Sequence, residues 1–200
     1  MPRRAFFSFH YAPDIWRAMN VRNSWIVRKD DQIDRGFFDA SVFEATRRTG
    51  EEVLKAFLRD AVDNSSVTCI LAGENTWRRR WVRYEIARSL VKGNGLLTVF
   101  INGLRDRHGQ LANKGANPLS ALGVYRAQSG IFLAEWKGNK WVRYSDYTLA
   151  IPENDLWFSP PIDDRVVQLH NHCRSYDFVA AEGRTKIGSW IEAAAVSAGR

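Results

Sequence analysis

Residues 67–72, Val-Thr-Cys-Ile-Leu-Ala, make a nearly continuous apolar run of strand length. Such a strand needs cover on both faces, and the inside of a parallel sheet provides it. Residues 5–9 form a shorter strand-like run, and residues 96–101 form another apolar one broken only by Thr98. Helical patterns separate them. Val53, Leu54, Phe57, Leu58, Ala61 and Val62 recur at helical spacing. Thr49-Gly50-Glu51-Glu52 precedes them as a capping box, with Thr49 as cap and Glu52 reaching back. Asp63-Asn64-Ser65-Ser66 ends that helix. A second helix starts between Thr76 and Arg80 and ends near Val91, where Lys92-Gly93-Asn94-Gly95 stops it. Strand, helix, strand, helix, strand predicts an α/β core with a central parallel sheet flanked by helices.

The rest of the chain is less regular. A helix is expected at residues 14–23, with Trp16 and Trp25 as isolated anchors, and Gly36-Phe37-Phe38-Asp39 reads as a short second strand. Residues 103–120 are rich in Gly, Asn, Lys and Arg and predict a long loop, of a kind that tends to be functional or mobile. Gly138-Asn139, between residues 131–136 and 140–144, signals a hairpin. Pro152, Pro160 and Pro161 make residues 145–165 irregular, and a closing helix would hold Ile187, Trp190 and Ile191. The 200 residues suit one domain with an extension. The expected division is an α/β domain at 1–145 and a C-terminal extension at 146–200, packed on the same domain.

A net charge of +7 and eight tryptophans point to a polyanionic partner and to an aromatic-lined surface or pocket. Nucleic acid, a dinucleotide and an acidic protein all qualify. Two cysteines, Cys69 and Cys173, offer no disulfide framework, which fits a reducing, cytoplasmic setting. Neither a signal peptide nor a membrane span is expected.

The second helix carries the most chemistry. Trp77-Arg78-Arg79-Arg80-Trp81-Val82-Arg83-Tyr84-Glu85-Ile86 holds one acid among arginines, with Arg88 following. On a wheel at about 100° per residue, Val82, Ile86 and Leu90 form an apolar stripe, and Glu85 lies between that stripe and Trp81. Spacing alone favours a solvated glutamate paired with Arg78 or Arg88 over a catalytic one. Ligand crevices of doubly wound sheets lie at the carboxyl ends of the strands. Ser8, His10 and Tyr11, then Asp39, Ala40 and Ser41, then Gly73, Glu74 and Asn75, and finally Asn102 occupy those positions. The arginines are spread around the wheel, which weakens a nucleic-acid surface with Trp77 and Trp81 as stacking platforms. His170-x-His172-Cys173 resembles a fragment of a metal site but lacks a partner pair, so no metal is expected. There is no dinucleotide-binding glycine motif, phosphate loop or nucleophile elbow.

Several segments are familiar together. They are Arg4-Ala5-Phe6-Phe7-Ser8-Phe9-His10-Tyr11, Phe38-Asp39-Ala40-Ser41, Ser66-Val67-Thr68-Cys69-Ile70-Leu71 and Arg80-Trp81-Val82-Arg83-Tyr84-Glu85-Ile86. They resemble the TIR-like family of bacterial Thoeris anti-phage defence. The likeness extends to Gly115-Ala116-Asn117-Pro118 and to Tyr176-Asp177-Phe178-Val179. It implies a flavodoxin-like TIR fold that consumes NAD+ as substrate, with no resident cofactor. In TIR enzymes a Trp-x-x-x-Glu segment provides the catalytic glutamate, here Glu85 behind Trp81. By the same resemblance Phe6, Ser8, His10, Asp39 and Trp81 would shape the NAD+ pocket, and arginines near it could pair with the pyrophosphate. The implied product is a cyclic ADP-ribose isomer, a messenger that activates a ThsA-type effector after an unknown phage trigger. The resemblance also raises a homo-oligomer, since TIR enzymes often work as assemblies with a shared site. It implies neither membrane nor nucleic acid as a partner. A reading from another class stands beside it, a non-catalytic TIR-like sensor or scaffold that recognises a phage component and recruits a partner. The stretch before Phe38 is long for this family and the region beyond residue 103 diverges, so no site residue is carried over from there.

Overall fold

Side chains two apart on a strand share a face, and this alternation divides the apolar runs between two cores. The computed structural model describes residues 4–26 and 49–200. The strand expected at residues 36–39, with Asp39, lies outside them. In chain order the elements are β1 (Ala5–Phe9), α1 (Tyr11–Ile26), α2 (Glu51–Asp63), β2 (Val67–Ala72), α3 (Arg80–Val91), β3 (Gly95–Phe100), β4 (Leu122–Ala127), β5 (Gly130–Lys137), β6 (Lys140–Arg143), β7 (Val167–Gln168), β8 (Arg174–Asp177) and α4 (Gly183–Ser197).

The expected parallel sheet is present, in the order β1-β2-β3-β8. One face carries Ala5, Phe7, Val67, Cys69, Leu71, Leu97 and Val99, covered by Ala18 and Val21 of α1 and by Ile187, Trp190 and Ile191 of α4. The other carries Ile70 and Leu96, covered by Val82, Ile86, Ala87 and Leu90 of α3. Full burial of such side chains stabilises by roughly 1.5–3 kcal/mol each. The closing helix holds the three residues expected of it. Its partner strand β8 was not legible in the sequence, being only four residues long and mostly polar. Tyr176 of β8 stacks on Trp190 of α4 with ring centroids 4.2 Å apart.

A second, antiparallel sheet runs β6-β5-β4-β7. The hairpin forms as expected, with Gly138 and Asn139 at φ 58° and 60°, the positive values that a tight hairpin turn requires. The sequence did not reveal β4. Its Gly123 lies against Val167, whose carbonyl would sit 2.6 Å from an added Cβ, so a glycine that looks like a strand breaker marks a close approach. Leu122, Val124, Ile131 and Leu133 of this sheet join the core around α3. Buried Glu135 of β5 pairs with Arg83 of α3 at 2.8 Å. Helix α3 is therefore enclosed by the parallel sheet, the antiparallel sheet and α2, which contributes Leu54 and Leu58 beside Tyr84.

Two local expectations change. The cap of α2 is Gly50, at φ 134° and without a side-chain bond, rather than Thr49. Glu52 reaches Lys55 instead of back across the first turn, because Lys55 also meets Glu51 and Asp146 and so offers a charged partner. The long loop after β3 is anchored at its start. Buried Arg17 of α1 donates to the carbonyls of Leu104 and Gln110 at 2.9 Å each, while Asp106 accepts from the backbone N–H groups of His108 and Gln110.

Helix α4 lies so close to the start of β3 that a Cβ on Gly95 would sit 2.3 Å from the Ala194 carbonyl oxygen. Gly95→Ala should lower the unfolding free energy by about 1–3 kcal/mol in urea denaturation. An unchanged midpoint would mean that α4 does not pack there.

Candidate active site

Three polar side chains interrupt the apolar face of the parallel sheet beneath α3, and each makes one defined bond. Thr68 of β2 shares a 2.6 Å hydrogen bond with Ser89 of α3, and Ser89 also donates to the Glu85 carbonyl at 2.6 Å. Thr98 of β3 donates to the Asn117 side chain at 2.8 Å, tying the later loop to the sheet. Ser8 of β1 donates to Glu85 Oε2 in a short bond. A buried polar group left without a partner costs roughly 1–3 kcal/mol, so these pairs fix how α3 sits on the sheet.

Glu85 is 6% exposed and Ser8 is 1% exposed. The expectation of a solvated glutamate paired with Arg78 or Arg88 is overturned. Arg78 lies over the Trp77 ring at 4.6 Å, and Arg88 faces Asp63 at 3.9 Å. The wheel placed Glu85 at the border of one apolar stripe, but α3 is enclosed on several sides, so the border is interior. Burial pushes the Glu85 carboxyl up to about 8, against the Ser8 hydrogen bond, which favours its ionised form.

His10 follows Ser8 by two residues at the carboxyl end of β1. It is half-buried, and its Nδ1 is enclosed without a hydrogen-bond partner. Burial lowers its pKa, and the neighbouring Arg79 lowers it further. A residue that the sequence did not single out meets the strand-end Gly73 at the same edge. Asp14 is 2% exposed, and its carboxylate fills the place a Cβ on Gly73 would take, 2.1 Å away. Burial raises its pKa while Arg17 pulls it down. The only sequence signal was an acid in the first turn of a helix, facing a glycine at a strand end. Thr76 accepts from the Gly73 N–H at 2.9 Å, so the turn after β2 is closed locally.

Of the other expected pocket residues, Phe6 is 1% exposed within the sheet. Trp81 is half-buried and packs beside Leu54, Leu58 and Tyr84, with Arg80 over its ring at 4.9 Å. The structure thus brings Ser8 to Glu85 with His10 beyond, and turns Trp81 toward α2. His172 of the suspected metal fragment stacks on Phe158 at 4.1 Å. Among the described residues no group of three or more His, Cys, Asp or Glu side chains is arranged to hold a metal ion. No described helix is long and apolar enough to cross a membrane.

The family model for the TIR-like domain of the Thoeris protein ThsB matches residues 6–106, half of the chain, from β1 past β3. The chain belongs to the Thoeris ThsB TIR-like family. That match spans Ser8 and His10 at β1, Arg79 and Glu85 at α3, and three of the four strands of the flavodoxin-like sheet. A family member from Bacillus cereus (strain MSX-D12), named "Putative cyclic ADP-D-ribose synthase ThsB1", is 39% identical over 194 residues, 96% of this chain and all of the relative. Family likeness therefore continues through the antiparallel sheet and α4.

The Glu85 shift has a consequence for stability. Its folded pKa, about 8, lies above the ordinary 4.5. Its contribution is therefore complete below about 4.5, declines as pH rises, and is lost above about 8. Glu85→Gln should match wild type in thermal melts near pH 5. Near pH 9 it should be more stable, by on the order of a few kcal/mol. A constant difference across that range would show that Glu85 does not titrate with a raised pKa.

Proposed function

We propose that the chain cleaves NAD+ and closes the ADP-ribose part on itself, making a cyclic ADP-ribose isomer as a messenger in anti-phage defence. The observation that carries this reading is Glu85, a buried carboxyl bonded to Ser8 near the carboxyl ends of the strands. A glycosidase acting on a sugar ether needs a second acid to protonate its leaving group. Nicotinamide needs none. When the bond from ribose C1′ to the pyridine nitrogen breaks, the electron pair leaves with nicotinamide, which departs neutral. The positive charge passes to the ribose as an oxocarbenium ion, and a carboxylate beside it stabilises that charge. With water kept out, a nucleophilic group at the other end of the same molecule attacks C1′ and closes the ring.

Glu85 has to be ionised for this step, and in the free protein near neutral pH it is mostly protonated. The cationic nicotinamide ring favours the anion once it is bound. Binding and ionisation are therefore coupled. The messenger activates a ThsA-type effector. The cytoplasm, where NAD+ is available, is the natural setting, and assembly of several copies after a phage trigger is the natural control. Ser8, His10 and Trp81, with Phe6 and Asp39, remain the proposed pocket.

The direct test is mass spectrometry of small molecules from phage-infected cells. Wild type should accumulate a cyclic ADP-ribose isomer and Glu85→Gln none, at equal protein levels. Equal product from both would remove Glu85 from the chemistry. A second outcome concerns pH. Because kcat/KM reports the free enzyme, it should rise with pH and level off above about 8. Ser8→Ala, which removes the bond favouring the anion, should move that limb to higher pH. A limb near the ordinary glutamate value in both proteins would contradict the coupling.

A further inference from the structure

Five arginines lie on or just before α3, and their surroundings separate them. Arg80 binds Glu51 and Asp146, Arg83 binds Glu135, Arg88 faces Asp63, and Arg78 is stacked on Trp77. Arg79 is exposed and has no acidic partner among the described residues. It stands immediately before the first turn of α3 and neighbours His10, whose Nδ1 lacks a hydrogen-bond partner.

Position adds to this. Ser8 meets Glu85, and α3 returns the chain between the parallel strands β2 and β3, so α3 runs opposite to β1. From Ser8 to His10 is two strand residues, about 7 Å. From Glu85 back to Arg79 is six positions, about 9 Å. Both steps lead outward, toward the carboxyl ends of the strands. In a dinucleotide whose ribose C1′ lies against Glu85, the pyrophosphate would begin one ribose ring away, and an outward course would carry it toward Arg79.

We propose that Arg79, beside His10, is the anchor for the substrate's pyrophosphate. This inference rests on the NAD+ reading of Glu85 and sharpens it, because it assigns the anion contact to one arginine of five. A guanidinium presents a fork of donors that matches two phosphate oxygens at once, which a lysine ammonium does not. Arg80, Arg83 and Arg88 are already paired with acids and Arg78 lies on its neighbour Trp77, which leaves Arg79, of the five, for a ligand. Binding the pyrophosphate would also fix the reacting ribose against Glu85, since the two contacts hold the molecule at both ends of that sugar.

The test measures ADP-ribose binding by calorimetry, with the full chain. ADP-ribose keeps the pyrophosphate and lacks nicotinamide, so its binding does not depend on the cleavage step. Wild type should bind it. Arg79→Ala should weaken binding by about tenfold or more, the range of a hydrogen bond to a charged group, and Arg79→Lys should recover part of the loss. Arg78→Ala removes the same charge one residue away and should bind as wild type does. In turnover, Arg79→Ala should raise KM for NAD+ more than it lowers kcat. Wild-type binding by Arg79→Ala, an equal loss in Arg78→Ala, or no binding by wild type would each overturn the assignment. The NAD+ reading fails separately, if Glu85→Gln keeps making the cyclic product.

Discussion

Everything at the site depends on α3 being enclosed on three sides. Parallel strands supply Ser8 and Thr68 beneath it, the antiparallel sheet supplies an apolar wall and Glu135, and α2 closes the third side with Leu54 and Leu58. A helix with five arginines on or beside it would ordinarily lie on a surface. Here acids of neighbouring elements pair with Arg80, Arg83 and Arg88, and the helix's own acid ends inside. The antiparallel sheet thus does more than decorate the α/β core. Without it, α3 would have an open flank along Val82, Ile86 and Leu90.

That burial sets the chemistry. A carboxyl in water is an anion near neutral pH and would be bound by any nearby arginine. Glu85 is instead held mostly protonated, with one hydroxyl favouring the charged form. In the proposed reaction a cationic ligand tips that preference, so the charge appears when the substrate brings its own. The absence of a paired arginine among the described residues matters equally, since a fixed ion pair would neutralise the field that an oxocarbenium ion needs. Low charge in the resting protein and the readiness that the proposed reaction requires follow from one arrangement.

Much of the frame was legible because strong periodicity leaves few choices. The three apolar strand runs, the amphipathic α2, the Gly138-Asn139 hairpin and the closing helix with Trp190 all follow from local pattern. Strands β4 and β8 were not legible. Gly123 is needed for a close approach that only tertiary structure creates, and β8 is a short polar edge strand whose pairing with β3 supplies its stability. Glu85 was visible as an acid in an unusual place, yet its burial was not, because a helical wheel assumes one covered face. The interruptions at Ser8, Thr68 and Thr98 were the signal available. Polar residues on one face of buried strands need partners, and here those partners are Glu85, Ser89 and Asn117. Asp14 and Arg79 carried no pattern of their own, since their meaning comes from Gly73 and His10 across the strand ends.

The central claim is that Glu85 is a buried, nearly neutral carboxyl poised by Ser8. It can be read without any turnover by following the side-chain carboxyl carbon of Glu85 in a 13C NMR pH titration, assigned by comparison with Glu85→Gln. The account predicts a midpoint near 8 in the free protein, falling when a cationic nicotinamide ligand is added. A midpoint near the ordinary 4.5, unmoved by such a ligand, would contradict it.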